Sequence, residues 1–543
     1  MDIRTTGGAA TAEETAAVDS LLGEPEPAHH HLAYGGRVQR SRRHLLLPVL
    51  HAIQDRVGWV SRGGLEYACR RLSIPPAEAY GVVSFYARFA LEPRGDVVRH
   101  VCDDIVCGLA GAKAADGELP SPCLGLCDRA PAALEERFGA GYEATPVADG
   151  TATQHGARLL RRVGLVDPES IESYLQHGGF VALKRARAMG PAAVINEVTQ
   201  AKLLGRGGAA FPTGRKWQSV ADAPVRPHYL VCNADESEPG TFKDRVLMEH
   251  DPYALVEGMA IAAFATGCEK GYVYVRAEYP VARRRVESAI AQARERGYLD
   301  FEIEVRRGAG AYICGEETAL FNSIEGKRGE PRNKPPFPVQ VGLFGKPTLP
   351  NNVETLVNVL DIVNGEFGDT RLFCVSGHVL RPGVYEVAMG TPLRALIELA
   401  GGLRPGRTMQ AVLLGGAAGS FLTPDQLEVP LSFEGARAIG ATLGSGAVMV
   451  FDDTADMRQV LLRIARFFRD ESCGQCVPCR VGTKRQEEIL ERMFHAPSAD
   501  GRADVMLLGD IAQAMRDASI CGLGQTAANA IASGLTQLKV LNG

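Results

Sequence analysis

The first sustained pattern along the chain is helical. Leu46, Leu50, Ile53 and Val57 recur every three or four residues, the spacing that lines one face of an α-helix. "IPPAEAYGVVSFYARF" continues in this style, with Pro75 and Pro76 suited to a helix start, which predicts a small helical bundle to about residue 93. After "EPRGD" the period changes. "VVRHV" reads as a short strand leading into Cys102, and a compact α/β unit is expected over about 96–148. From about 196 to 360, strand-like "HYLVCNA", "GYVYVR" and "FEIEVRRG" alternate with helical runs, the signature of an α/β sandwich. "RLFCVSGHVLRPGVYEVAMG" then gives two β-like runs broken by Pro-Gly, followed by a helical "PLRALIELAGG" and by "AVMVF", a β-grasp-type pattern. From "MRQVLLRIARFF" onward the chain reads as amphipathic helix around cysteines, and no fixed-period repeat interrupts this order.

These patterns divide the chain into a flexible arm (1–42), a helical plus α/β unit (43–148), a linker-like and helical stretch (149–195), a glycine-rich α/β domain (196–370), a β-grasp domain (371–452) and a helical cysteine domain (453–543). Within the arm, His29, His30 and His31 read as part of a solvated tail, with adventitious metal binding as the alternative. A net charge of -5, from 59 basic and 64 acidic residues, argues against a nucleic acid or an anionic membrane surface as main partner. No apolar run reaches the ~18 residues of a membrane span. The opening "MDIRTTGGAATAEETAAVDS" has neither the basic flank nor the apolar stretch of a secretory signal. A cytoplasmic location is therefore expected, where clustered thiols serve as metal ligands or catalysts rather than disulfides.

That expectation gives the cysteines meaning. "ESCGQCVPCR" sets Cys473, Cys476 and Cys479 three apart, and one more thiol, Cys521, follows in "SICGLGQ". A tight triplet plus a remote single suits the corners of a [4Fe–4S] cluster. Zinc is the alternative, although structural zinc sites usually present two separate pairs. A second set pairs Cys102 with Cys107 and Cys123 with Cys127, which suits a [2Fe–2S] cluster, again with zinc as the alternative. Cys69, Cys232, Cys268, Cys314 and Cys374 lack partners at ligand spacing and read as small apolar side chains in cores.

Two glycine loops complete the candidate chemistry. "GRGGAAFPTGRKW" (205–217) lets backbone approach a flat or anionic ligand, with Lys216 available to a phosphate. It differs from the G-x-G-x-x-G of an ordinary dinucleotide fold. "CNADESEPGTFKDR" (232–245) gathers Asp235, Glu236 and Glu238 behind a strand. "GAGAYICGEETALFNSIEGKRGEPRNKPPFP" (308–338) adds a second glycine loop, adjacent carboxylates and a basic, aromatic tail. "LPNNVET" (349–355) offers side-chain amides and a helix N-terminus.

Together with both C-terminal cysteine motifs, these blocks resemble the flavin-binding, NADH-oxidising subunit of respiratory complex I. Residues 45–148 resemble the thioredoxin-like [2Fe–2S] subunit that accompanies it, here fused ahead of it. The fused pair is similar to the diaphorase subunits of NAD-dependent formate dehydrogenases and NAD-reducing hydrogenases. The resemblance implies an α/β multidomain fold: a helical bundle plus thioredoxin-like domain, a Rossmann-like FMN/NADH domain, a β-grasp (ubiquitin-like) domain and a helical [4Fe–4S] domain. It implies FMN, NAD, a [4Fe–4S] and a [2Fe–2S] cluster as cofactors.

Carried over position by position, the implied FMN cradle falls on Gly205, Arg206, Gly207, Gly208, Lys216, Asn233, Asp235, Glu236 and Ser237. It continues through Tyr312, Gly315, Glu316, Glu317, Asn351, Asn352 and Thr355. The nicotinamide-nucleotide side falls on Phe211, Glu238, Glu317, Lys334 and Phe337, with the aromatic rings suited to adenine and Glu317 to a ribose hydroxyl. Two departures stand out. Ala210 replaces a glycine usual among complex I relatives, and only 15 residues separate Cys107 from Cys123, fewer than the family usually has, so that a helix turn and a strand are candidates for loss. The expected partner is a larger catalytic subunit of formate dehydrogenase carrying a molybdenum or tungsten pterin and further iron–sulfur clusters. A hydrogenase or complex I-like partner, or a non-catalytic iron–sulfur or zinc scaffold, are the alternatives.

Overall fold

The computed structural model describes residues 8–24, 41–148, 150, 152–495, 501–538 and 540. Within the segment read as a flexible arm, Ala12–Leu22 is a helix, started by a capping box between Thr11 and Glu14. Val18 and Leu22 are buried, and Asp19 accepts a 2.8 Å hydrogen bond from Tyr67, so this helix docks on the bundle behind it. His29, His30 and His31 lie outside the described residues. The bundle helices are Leu46–Val57, Arg62–Leu72 and Pro76–Val83. Leu46, Leu50 and Ile53 are fully buried, as their spacing predicts.

β1 (Val97–Cys102), β2 (Leu119–Ser121), β3 (Ala132–Arg137) and β4 (Glu143–Ala148) form a sheet in the order β2-β1-β3-β4. β2 lies inside the short span between Cys107 and Cys123 and pairs parallel with β1, so a strand is kept there. Cys102 ends β1, Cys107 sits in the Ile105–Leu109 helix, and Cys127 opens a 3₁₀ turn.

The stretch 149–195 is more than the linker expected. β5 (Thr153–His155) pairs with a strand of the β-grasp sheet far along the chain. Helices Ile171–Gln176, Val181–Met189 and Pro191–Gln200 follow, with Ala182, Leu183, Val194 and Val198 buried. The carboxylate of Glu257 accepts from Tyr174 Oη and from the Phe180 and Leu183 N–H groups, which satisfies the start of the Val181–Met189 helix. A cap supplied from about 75 residues away leaves no local sequence signal.

β6 (Tyr229–Ala234), β7 (Lys270–Val275), β8 (Glu302–Arg307) and β9 (Thr348–Asn352) make an all-parallel, Rossmann-like sheet in the order β8-β7-β6-β9. The chain winds outward from β6 through β7 to β8, then returns to place β9 on the other side of β6. That reversal is a topological switch point, and the crevice beyond its strand ends is where such sheets bind ligands. The pairing of Asn233 with Asn352 marks it.

β10 (Thr370–Gly377), β11 (Gly383–Ala388), β12 (Met409–Leu414), β13 (Ser420–Leu422) and β14 (Ala447–Asp452) form the β-grasp sheet, ordered β13-β12-β14-β10-β11-β5. Helices Met457–Glu471, Val477–His495, Gly501–Ala518, Gly522–Thr526 and Asn529–Gln537 complete the chain. Among the described residues no helix is long and apolar enough to cross a membrane.

Candidate functional site

The first glycine loop closes on itself through a 3.0 Å bond from Gly205 N to Phe211 O. It then fastens to the switch point. Arg206 N donates to Thr355 Oγ1 at 2.9 Å, and a Cβ on Gly207 would stand 3.3 Å from that of Asn352. Gly208, beside the Gly444–Ser445 backbone, has φ +108°, a conformation that glycine adopts freely and other residues rarely do. Ala210 also has positive φ, +53°, so the departure from glycine falls at a position that favours glycine. The Arg206 guanidinium is buried and turned away from the crevice, donating to Asp369 and to the Thr370 carbonyl.

Beyond β6, the Asn233 side chain donates to Gly315 O at 2.8 Å, which joins the acidic loop to the second glycine loop. Asp235 accepts from Ser237 Oγ with Oδ1, while its buried Oδ2 has no partner among the described residues. Across the crevice, Asn351 Oδ1 accepts from Trp217 Nε1, and its buried Nδ2 likewise has no partner among the described residues. Asn352 caps the Val353–Asn364 helix through a 3.0 Å bond from Glu354 N. An idle acceptor beside the second glycine loop and an idle donor on β9 are open to a polar ligand, because buried polar groups left unpaired are costly. Burial holds the Asp235 carboxyl at about 7.

Other expected ligands are occupied within the protein. The Glu236 carboxylate accepts from Asp244 N and Arg245 N at 3.0 Å each, capping the Lys243–His250 helix. Burial pushes it to about 8. Glu238 accepts from Ala418 N and Ser445 Oγ, which ties it to the β-grasp domain. Tyr312 N donates to Glu471, just ahead of Cys473. Glu316 caps the Glu317–Ile324 helix, and Lys334 pairs with Glu316 and Glu317 at 2.9 and 2.8 Å. Lys216 is half-buried, donates to Pro350 O at 3.0 Å and sits 5.8 Å from the Phe211 ring centre; partial desolvation lowers its pKa. Phe211 and Phe337 are 45% and 53% exposed, as rings awaiting a stacking partner would be.

Sequence reasoning missed a buried layer beneath the crevice. Lys243 pairs with Asp244 and Glu354, and Asp244 accepts from Asn352 Nδ2 at 2.6 Å, which fixes that amide. The charged triplet "KDR" was the available signal, but consecutive charges ordinarily mark a solvated face.

Cys473, Cys476, Cys479 and Cys521 line one cavity together with Ile313, Pro331 and Leu523. A triplet from one turn and a single thiol from a distant helix start, gathered at one cavity, suit the corners of a multi-iron group. Burial pushes Cys479 to about 12 and Cys521 to about 11, so thiolate formation needs the positive charge of bound metal. The N-terminal set converges too. Cys123 and Cys127 have Sγ atoms 3.4 Å apart, all four thiols are buried, and the hydrogen bonds of Cys102 and Cys127 to Cys123 hold it well below the ordinary thiol range.

A protein-family model described as the Nuo51 FMN-binding domain matches residues 198–361. The NADH-ubiquinone oxidoreductase-F iron-sulfur binding region matches 459–539, a thioredoxin-like [2Fe-2S] ferredoxin matches 34–120, and an SLBB domain matches 372–416. The second F-type subunit of NADH-quinone oxidoreductase from Rhizobium meliloti is 44% identical over 70% of this chain and 95% of its own length. The chain belongs to the family of F-type NADH-quinone oxidoreductase subunits. Another relative, the NADP-reducing hydrogenase subunit HndC of Solidesulfovibrio fructosivorans, is 43% identical over 69% of this chain and 80% of its own length. A crystal structure of an NAD+-reducing [NiFe]-hydrogenase in the H2-reduced state superimposes with a TM-score of 0.78 at 34% identity, covering 92% of this chain and 93% of that one. The protein is thus an NAD-dependent oxidoreductase subunit of the diaphorase type, with FMN, NAD, [4Fe–4S] and [2Fe–2S] as cofactors. The thioredoxin-like match ends at residue 120, ahead of Cys123 and Cys127.

Proposed function

We propose that this chain is the diaphorase subunit of an NAD-dependent formate dehydrogenase. The observation that carries the diaphorase reading is the switch-point crevice, where the idle Asp235 atom lies beside the second glycine loop and the idle Asn351 atom on β9. Gly205, Gly207, Gly208, Asn233, Ser237, Gly315, Asn352 and Thr355 form the flavin cradle in this reading. Phe211 and Phe337 flank the adenine, while Glu317 and Lys334 meet the ribose. FMN held by these residues would supply the conversion between a two-electron hydride donor and the single-electron transfer that iron–sulfur centres require. The side chains need not supply a general acid or base. Their task is to hold the nicotinamide against the flavin and to keep water out. Cys473, Cys476, Cys479 and Cys521 hold the [4Fe–4S] cluster in this reading, and Cys102, Cys107, Cys123 and Cys127 hold the [2Fe–2S] cluster.

The far-end chemistry belongs to a second chain bearing a molybdenum or tungsten pterin, with a cytoplasmic location for the complex. The stretches "VGLVDPESIESYLQHGGF" and "GRGGAAFPTG" support formate dehydrogenase by their resemblance to its diaphorases, while the fused domain order is common to formate dehydrogenases and hydrogenases. A hydrogenase partner is the second reading, favoured by the 92% coverage in the hydrogenase superposition. Purification of the native complex separates them. Formate-dependent NAD reduction with molybdenum or tungsten is expected; hydrogen-dependent reduction with nickel would replace the first reading by the second. Within the chain, Cys476→Ser should preserve NADH-dependent flavin reduction and slow electron exit.

A further inference from the structure

Arg276 follows directly on β7, at the same sheet edge as the acidic loop behind β6. Its guanidinium is buried and fully engaged. One terminal nitrogen donates to the Glu236 carbonyl at 2.6 Å, the other donates to the Cys123 carbonyl at 2.6 Å, and Nε donates to Glu278 at 3.2 Å. One planar fork therefore joins the loop that follows Asp235 to the loop that carries Cys123 and Cys127. A lysine ammonium lacks the fixed, two-pronged geometry of this fork. Nearby, Tyr279 Oη reaches the Glu236 carboxylate at 3.2 Å, and a Cβ on Gly125 would collide with that hydroxyl, so the two loops meet without a gap.

The charge matters as much as the geometry. Arg245, the other buried cation at this joint, is matched by Asp128 and Glu249. Arg276 has a single carboxylate partner, Glu278, and lies against the backbone of a thiol ligand. A buried cation favours whichever state of its neighbour carries more negative charge, which for a cluster is the reduced one.

We propose that Arg276 is a positioning residue that fixes the [2Fe–2S] loop against the flavin loop and raises the cluster's reduction potential, with Glu278 tempering that effect. This rests on the reading of Cys102, Cys107, Cys123 and Cys127 as the [2Fe–2S] ligands. A merely structural link would not predict opposite shifts from its two partners.

The test is a redox titration of the cofactor-loaded full-length chain, followed by electron paramagnetic resonance, for the wild type, Arg276→Gln, Arg276→Lys and Glu278→Gln. Arg276→Gln should disfavour [2Fe–2S] reduction about tenfold, a fall of about 59 mV for a one-electron couple. Glu278→Gln should shift it upward, and Arg276→Lys should fall between wild type and Arg276→Gln. The [4Fe–4S] potential should move less in every variant. Equal potentials across cluster-bearing variants, or Arg276→Gln and Glu278→Gln shifting the same way, would overturn the proposal. If Arg276→Gln fails to fold, the sign of the Glu278→Gln shift decides alone. A wild-type chain with flavin and [4Fe–4S] but no [2Fe–2S] signal would instead refute the ligand assignment, and the proposal with it.

Discussion

Asp128 and Arg245 form a buried ion pair, with Oδ2 and a terminal guanidinium nitrogen 2.7 Å apart and neither side chain more than 3% exposed. Asp128 directly follows Cys127, while Arg245 lies on the helix that Glu236 caps. Arg245 also donates to the Gly125 carbonyl at 3.0 Å. The thiol-bearing loop is therefore seated on the flavin domain by charge as well as by shape.

Asp128→Asn leaves Arg245 with Glu249 as its one carboxylate partner. Leaving a buried charge wholly unpaired costs about 3–5 kcal/mol, and with Glu249 still in place the loss should fall below that. Thermal unfolding should shift downward accordingly, with [2Fe–2S] lost before FMN. A double Asp128→Leu, Arg245→Leu chain should be less damaged than Asp128→Asn, and equal damage would show that the charge is not the cause.

Gly125 has φ +66° and abuts the Tyr279 hydroxyl. Gly125→Ala should therefore release the loop and lower [2Fe–2S] retention. Adding Tyr279→Phe removes the hydroxyl but leaves ring carbons 2.6 and 2.7 Å from the new Cβ, and the left-handed backbone preference is not restored, so recovery should be slight. Iron and acid-labile sulfide analysis reads this directly.

Ala210→Gly removes the cost of a left-handed backbone at a non-glycine residue, about 1–2 kcal/mol, and adds unfolded-chain entropy of about 0.4–1 kcal/mol. A net gain of about 0 to 1.6 kcal/mol is expected, measured as a higher unfolding temperature. Ala210→Val should lose stability, since a β-branched residue tolerates that backbone poorly.

Motifs and periodicity carried far in this chain. The buried face of Leu46, Leu50 and Ile53, the parallel strands β6 to β8 and both thiol sets were legible, because period and spacing are local properties. What was hidden depends on distant partners. The resemblance implies Glu236 as a flavin ligand, and what the sequence does not show is that its carboxylate also accepts from helix N–H groups that only the fold brings near. Arg206 lies inside a ligand-type loop but points to Asp369. Arg276 carries no motif at all, and only the juxtaposition of two cofactor loops gives it a role.

Glu317 and Lys334 form a half-exposed pair beside the crevice. Glu317→Gln removes the negative charge that would repel a 2′-phosphate and frees Lys334 to meet one. NADPH use should rise up to about fivefold relative to NADH, since a partly exposed charge contributes on the order of 1 kcal/mol. Steady-state kcat/KM for both nucleotides tests it, and unchanged discrimination would remove this role from Glu317.

Glu238 offers a pH signature. Burial raises its carboxyl from 4.5 to about 7, against the opposing hydrogen bonds from Ala418 N and Ser445. The folded chain thus holds a proton that the unfolded chain releases, so Glu238's contribution to stability is fully present below about pH 4.5 and falls as pH rises to about 7. Above that, the native state carries a poorly solvated charge. Glu238→Gln keeps an acceptor for Ala418 N and a donor for Ser445 Oγ but cannot ionise. The variant should match wild type near pH 5 and exceed it at pH 8. The gain should be about 1–2 kcal/mol, reduced from the full shift because the side chain keeps some exposure. Thermal unfolding of the flavin-free, nucleotide-free chain at both pH values provides the comparison, and a wild-type-to-variant difference independent of pH would contradict the assignment.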